Sequence, residues 1–259
     1  MLSIVCSIVS HHQGRLVRNL LSDLQEHCQF SRLSVIVTIN ESEALSFSEK
    51  DFPFKVLLIH NAKPKGFGAN HNAAFQAARG DYFCVLNPDV RIPQDPFPSL
   101  CSSLTQDPQT GVVSPLILDQ ESNPCDNARL FPTPGRILKR LLPFTKKTAY
   151  PLQSGELSVD WLAGIFLFFP SPVFAAAKGF DERYFLYYED VDLCVRLKLA
   201  GFRLVLNPAV FIVHQARRAS HYHPRYLRWH LNSMLRFFLS PVYQKMRNQL
   251  LVGCPLILT

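Results

Sequence analysis

The chain has 259 residues, 47% of them hydrophobic and 18% charged, which excludes a disordered segment and suits one large α/β domain rather than two independent ones. Its formal charge of +7, from 27 basic and 20 acidic residues, favours an anionic partner: nucleic acid, an anionic membrane or a phosphate-bearing substrate. Seven cysteines, odd in number and without a CxxC pair, exclude a zinc framework or disulfide scaffold and point to a reducing compartment.

In chain order, residues 2–9 read as a buried strand. The run is apolar, lacks the basic flank of a signal peptide and passes at once into Ser10-His11-His12. Leu16, Val17, Leu20, Leu21 and Leu24 follow at helical spacing. Strands are predicted at 33–39, 55–59, 82–86 and 112–118, with an Ala-rich helix at 70–78. This alternation predicts an α/β fold with a mostly parallel central sheet flanked by helices, and ligands at the carboxyl ends of its strands. From 119 to about 157 the pattern fades. Pro124, Pro132, Pro134, Pro143 and Pro151 punctuate a basic stretch that reads as a long surface excursion. An apolar strand is predicted at 161–169, then a helix at 189–200 stopped by Gly201, and a short strand at 204–206 before Pro208. The last element is an amphipathic helix at 226–239, with Leu227, Leu231, Leu235 and Phe238 on one face. No apolar run reaches the roughly 20 residues of a membrane span. Two basic groups stand late, Arg136, Lys139, Arg140, Lys146 and Lys147, then Arg217, Arg218, Arg225, Arg228, Arg236, Lys245 and Arg247. Each is either a solvated face or an anion-binding surface.

Four stretches carry chemistry. Gly66-Phe67-Gly68-Ala69-Asn70 opens a helix, either as a phosphate approach or as a glycine turn capped by Asn70. It is neither a dinucleotide fingerprint nor a Walker loop. Asn87-Pro88-Asp89 closes an apolar strand, where one carboxylate suits a divalent metal that takes its other ligands from phosphate and water, or a simple turn. Glu189, Asp190 and Asp192 begin a helix, which the helix dipole partly explains. Phe185, Tyr187 and Tyr188 beside them suggest a semi-apolar wall that raises a carboxylate toward the range of a working base. His214 ends the strand-like Val210-Phe211-Ile212-Val213.

The order of these pieces resembles that of family 2 glycosyltransferases of the GT-A fold, over nearly the whole chain. The likeness includes Asp160-Trp161-Leu162-Ala163-Gly164, Gly179-Phe180-Asp181-Glu182, Glu189-Asp190-Val191-Asp192, Arg196-Leu197, Ala200-Gly201 and Pro208 to His214. Arg129-Leu130-Phe131-Pro132 and Arg228-Trp229-His230-Leu231 are similar to stretches in bacterial rhamnosyltransferases of O-antigen and cell-wall linker assembly.

The resemblance implies a single domain, with a nucleotide-sugar-binding half at 1–118, an acceptor and catalytic half at 119–215, and a basic amphipathic helix and tail at 216–259. It implies that Asp89 holds Mg²⁺ or Mn²⁺ against the donor diphosphate, with Asn87 nearby and His214 in reach of metal or diphosphate. Asp190 would be the general base and Glu189 would position acceptor or base, giving displacement with inversion. Ser10, His11 and Asn40 would begin the nucleotide pocket, and Gly66, Phe67, Gly68 and Asn70 would line the donor side. Asp160, Trp161, Gly164, Arg196 and Arg228 would line the acceptor side. Where the family carries Asp-Asn this chain has Ile39-Asn40, which removes a carboxylate from base recognition. The implied donor is dTDP-rhamnose, with a UDP-sugar as the alternative; the implied acceptor is polyprenyl-linked or an oligosaccharide. The late arginines would then hold a lipid diphosphate or anionic head groups at the cytoplasmic membrane surface, with Phe237 and Phe238 touching the bilayer. Two rivals remain: a glycosidase, which needs paired carboxylates but neither the glycine turn nor Asn87-Pro88-Asp89, and a binding module, either an inactive relative or a basic nucleic-acid binder. No nucleic-acid motif is present, so no nucleic-acid partner is expected.

Overall fold

Alternate residues of the first strand leave it in opposite directions, and both sets are buried: Ile4, Cys6 and Ile8 enter one apolar cluster and Val5 the other. A strand covered on both faces must be apolar throughout, which is why the run shows no alternation of polar residues. In a computed structural model, which describes residues 2–29, 32–140, 150, 155–215 and 224–251, this strand, β1 (Ser3–Ser10), lies inside one large sheet. It is flanked in parallel by β2 (Arg32–Ile39) and β4 (Tyr82–Leu86), and β2 pairs in parallel with β3 (Lys55–His60). Beyond β4 stand β10 (Phe166–Pro170), β6 (Thr110–Leu118), β11 (Arg203–His214) and β5 (Val90–Arg91). β10 is antiparallel to both β4 and β6, whereas β6 and β11 are parallel. The carboxyl ends of β1, β2, β4 and β11 therefore share one edge.

The helices divide by cluster. α1 (Gly14–His27) and α3 (Phe97–Gln106) bury Leu20 and Leu100 in the first. α2 (Phe67–Ala77), α5 (Ser171–Ala176) and α6 (Glu189–Leu199) bury Ala74, Phe174 and Leu193 in the second. α7 (Pro224–Leu239) and α8 (Pro241–Leu251) add Phe237 and Met246 to it. A two-stranded ribbon of β7 (Ala128–Arg129) and β9 (Trp161–Leu162), a short β8 (Leu157–Ser158) against β11, and α4 (Pro134–Arg140) occupy the surface excursion.

Several expectations change. The strand expected at 161–169 is two: β9 pairs with β7 and β10 enters the main sheet, and the turn at Gly164 between them aims an amide at α6. The segments at 204–206 and 210–213 are one strand, because Pro208 falls in a register shift between Asn207 and Phe211 where no ladder donor is required. α3 was hidden by Pro96 and Pro98, which a helix tolerates at its first turn. Phe237 is fully buried against Phe131, Tyr188 and Tyr243 rather than facing a bilayer, because the leucine face of α7 is turned outward instead. Lys146, Lys147, Arg217, Arg218 and the side chains of Lys139 and Arg140 lie outside the described residues, as does Cys254. The six described cysteines are free, and no described helix is long and apolar enough to cross a membrane.

Asp23 joins α1 to β5. Its buried carboxylate accepts two bonds from the Arg91 guanidinium, at 2.7 and 2.6 Å, and one from the Ile92 amide at 2.9 Å. Asp23→Ala leaves a buried N–H without a partner, so a loss of about 1–3 kcal/mol is expected in urea unfolding with an unchanged m-value. An unchanged midpoint would dismiss the clamp.

Candidate active site

The strand ends at the common edge carry Ser10, Asn40, Asn87, Asp89 and His214, and the turn entering β10 carries Gly164. Asp89 and His214 meet directly: Oδ1 and Nε2 are 3.1 Å apart, with both side chains mostly buried. The Gln215 amide donates to the Asp89 carbonyl at 2.8 Å, and β11 pairs His214 with Val90, so backbone geometry holds the pair together. Asn87 donates its amide to the Ile165 carbonyl at 2.9 Å, joining the end of β4 to the start of β10.

The side chains of Asn40 and Asn70 are buried behind this edge in a shared hydrogen-bond network. Asn40 Oδ1 accepts from Asn61 Nδ2, the Lys65 amide and Asn70 Nδ2 at 2.8, 2.8 and 3.1 Å, and its own Nδ2 donates to the Lys65 carbonyl at 3.0 Å. Both side chains are buried, and the pair fixes the loop before α2. Ser10 donates to Glu43 and accepts from the Gln13 amide, while Glu43 also accepts from the Gly14 amide at 2.8 Å. Ser10 is thus tied to the start of α1, leaving exposed His11 beside Glu41 at the rim. Sequence reasoning missed Glu41 and Glu43; their signal was two carboxylates directly after the β2 end.

Gly66 and Gly68 have a packing reason. A Cβ at Gly66 would lie 2.7 Å from the Phe185 carbonyl oxygen, and one at Gly68 would lie 2.6 Å from Phe180 Cβ. The Phe67 amide donates to the Phe185 carbonyl at 2.9 Å, and the Phe67 ring lies against Gly164. α2 therefore starts in contact with the segment that leads into α6. There Tyr187 and Tyr188 adopt φ values of +70° and +67°, a left-handed conformation rare for non-glycine residues and held by surrounding rings.

This turn presents Glu189 and Asp190 to different surroundings. Asp190 is partly exposed and accepts from the Gly164 amide at 3.0 Å and the Val191 amide at 2.8 Å. Burial raises its carboxyl above the ordinary range, against the pull of those amides and of the Arg129 charge. Glu189 is buried, its Oε2 has no hydrogen-bond partner among the described residues, and burial together with the Asp190 charge raises its carboxyl well above the ordinary range. One member of the pair is thus suited to hold a proton and the other to accept one.

The other acceptor-side expectations divide. Trp161 lies under the Arg129 guanidinium, 5.0 Å from its ring centroid, and donates to the Leu130 carbonyl at 3.0 Å. Asp160 accepts from the Phe131 amide at 2.9 Å and Lys198 at 3.1 Å, anchoring the surface excursion to α6. Arg196 turns away from Asp190: it bonds Asp192 at 2.7 Å and the carbonyls of Ala177 and Gly179, so it serves as scaffold. Arg228 is exposed on α7. A cleft of about 420 Å³ lined by Phe75, Arg79, Tyr82 and Pro172 opens at the opposite edge of the sheet, away from these groups.

Residues 2–237 match the family model described as "Glycosyltransferase like family 2". The chain is 29% identical over 241 residues to the rhamnosyltransferase WbbL of Escherichia coli K12, covering 89% of this chain and 90% of that protein. It is 36% identical over 143 residues to the N-acetylglucosaminyl-diphospho-decaprenol L-rhamnosyltransferase of Mycobacterium tuberculosis, covering 52% of this chain but only 47% of that one. Among solved structures, GalNAc-T7 with UDP, GalNAc and Mn²⁺ is similar at a TM-score of 0.70 and 14% identity, over 92% of this chain and 48% of that chain. The mannosyltransferase PcManGT from Pyrobaculum calidifontis with GDP-Man and Mn²⁺ gives a TM-score of 0.56 at 14% identity, over 96% of this chain and 75% of that one. At those identities the likeness is one of fold.

The raised Glu189 carboxyl has a signed consequence. A group that binds its proton more tightly when folded stabilises the fold below its unfolded value, and that stability is lost as pH rises through the folded value. Glu189→Gln, which cannot ionise, is therefore expected to be more stable than the wild type at alkaline pH, with the gap closing toward pH 4. Urea midpoints across pH 4–9 measure this, and parallel curves for the two proteins would remove the buried acid from the account.

Proposed function

The chain belongs to the glycosyltransferase-like family 2, and from that premise we propose that it transfers L-rhamnose from dTDP-rhamnose, with inversion, to a polyprenyl-diphosphate-linked sugar. It is a nucleotide-sugar-dependent glycosyltransferase acting on a sugar acceptor, with a GT-A-like fold. The rhamnose reading rests on the Escherichia coli relative, whose similarity runs along 89% of this chain.

The mechanistic reading rests on one observation: Asp190 is bound to the Gly164 amide at the same sheet edge as the Asp89–His214 pair. The Asp190 carboxylate would take the proton of the acceptor hydroxyl. The freed oxygen pair would attack the anomeric carbon while its bond to the nucleoside diphosphate breaks, the diphosphate leaving with the electron pair. A single displacement of this kind inverts the configuration. The two amides on Asp190 would aim its free lone pairs, and protonated Glu189 would add no second charge beside it.

The donor set fits a divalent cation. Asp89 and His214 offer one carboxylate oxygen and one imidazole nitrogen at the same point, and no group of three or more His, Cys, Asp or Glu residues suited to a metal occurs among the described residues. Mg²⁺ or Mn²⁺ accepts two protein ligands and completes its shell with phosphate and water. When bound it would neutralise charge on the leaving diphosphate.

A thermal-shift panel of dTDP, UDP, GDP and their sugars, each with Mn²⁺ and with EDTA, tests the donor. At 100 times the dissociation constant the expected stabilisation is about 2.7 kcal/mol. It should follow dTDP species, require metal and vanish in Asp89→Ala; a UDP preference would discard rhamnose and keep the transferase. Asp190→Asn should keep the nucleotide-induced shift and lower kcat by about 10²–10⁴-fold. The wild-type kcat/KM should fall as pH drops through the raised Asp190 value, above the ordinary carboxylate range. Near-normal turnover in Asp190→Asn would remove it as the base.

A further inference from the structure

No Asp or Glu follows Asp192, while the same stretch carries ten lysines and arginines. α7 lies within it and has two unlike faces. The inner one packs on the turn before α6: the Ser233 hydroxyl donates to the Leu186 carbonyl at 2.8 Å, the Trp229 ring lies tilted 4.7 Å from that of Phe185, and His230 meets Tyr187 and Tyr188 at 5.2 and 5.6 Å. On the outer one, Leu227, Leu231, Leu235 and Leu239 are 60%, 48%, 59% and 68% exposed. Each step of four residues advances only ~40° around a helix, so the four leucines form one slanting stripe. Arg228 and Arg236, both exposed, border it.

We propose that α7 docks this chain on an anionic lipid bilayer through the leucine stripe, lying in the plane of the interface. A helix with leucines on one face, arginines beside them and no acidic residue matches such a surface, the leucines entering the acyl boundary and the guanidinium groups the phosphate layer. The same charges oppose a second copy as occupant, since two such faces would bring arginines together. The consequence for the site is direct. The inner face of α7 touches Phe185, Leu186, Tyr187 and Tyr188, the residues that lead into Glu189 and Asp190. Docking would set that turn beside the bilayer, where a lipid-borne acceptor presents its sugar. The proposal deepens the lipid-acceptor reading, but its test uses neither donor nor acceptor, so either can fail alone.

Flotation of the full chain with phosphatidylglycerol-containing vesicles, and with phosphatidylcholine alone, tests it. The wild type should float with the anionic vesicles and not with the neutral ones. Leu231→Glu/Leu235→Glu should bind at least tenfold more weakly at an unchanged melting temperature. Equal binding by this variant would overturn the proposal. So would loss of binding in Leu256→Glu/Leu258→Glu alone, which would make the tail the anchor. A wild-type dimer that Leu231→Glu/Leu235→Glu splits, with no vesicle binding by either protein, would make a second copy the occupant.

Discussion

The start of α2 meets the segment leading into α6 through a backbone hydrogen bond, from the Phe67 amide to the Phe185 carbonyl, and the close approach is open because Gly66 lacks a Cβ. Around it the contacts reinforce one another. Asn72 exchanges bonds with the Phe180 amide and carbonyl, both at 2.9 Å, and the Phe67 ring fills the space beside Gly164. Gly164 in turn directs its amide at Asp190. A glycine pair that looks like a phosphate loop thus acts as a close-packing device, bringing the helix after β3 against the turn that carries Glu189 and Asp190.

That turn is built from strain held by packing. Two consecutive tyrosines in the left-handed region would not persist on a free chain; here Tyr188 is wedged among His230, Phe237 and Phe238. Its outcome is electrostatic. Adjacent residues on one helix end up in unlike surroundings: Glu189 is buried with Oε2 unpartnered among the described residues, and Asp190 faces two amides and the Arg129 charge. The pair is separated by environment, not by chemistry.

The same packing links the site to the outer face of the molecule. α7 buries Phe237 in the core, packs Met234 and Phe238 against it and aims the Ser233 hydroxyl at the Leu186 carbonyl, while leaving its leucines outside.

The sequence by itself determined much of this. Strands β1, β2 and β4 were legible because burial on both faces makes them apolar at nearly every position, and β4 matched to the residue; the edge strand β3, half-buried, still reads as an apolar run. The order of the glycine turn, Asn87-Pro88-Asp89, the acidic helix start and His214 carried the family. What sequence could not supply was anything set by partners distant along the chain. The break at Gly164 arises because β9 and β10 pair with different sheets, and Pro208 is absorbed by a register shift against β6. Asn40, Asn70 and Arg196 look like ligand-facing groups in one dimension, but their hydrogen-bonding capacity is taken up by residues distant in sequence or by buried backbone. Which face of α7 is the core face was likewise undecided by periodicity. A helix with Leu227, Leu231 and Leu235 on one side and Phe237 on another offers two apolar faces, and the aromatic cluster at Phe131, Tyr188 and Tyr243 selected the phenylalanine, because only that face has rings to meet.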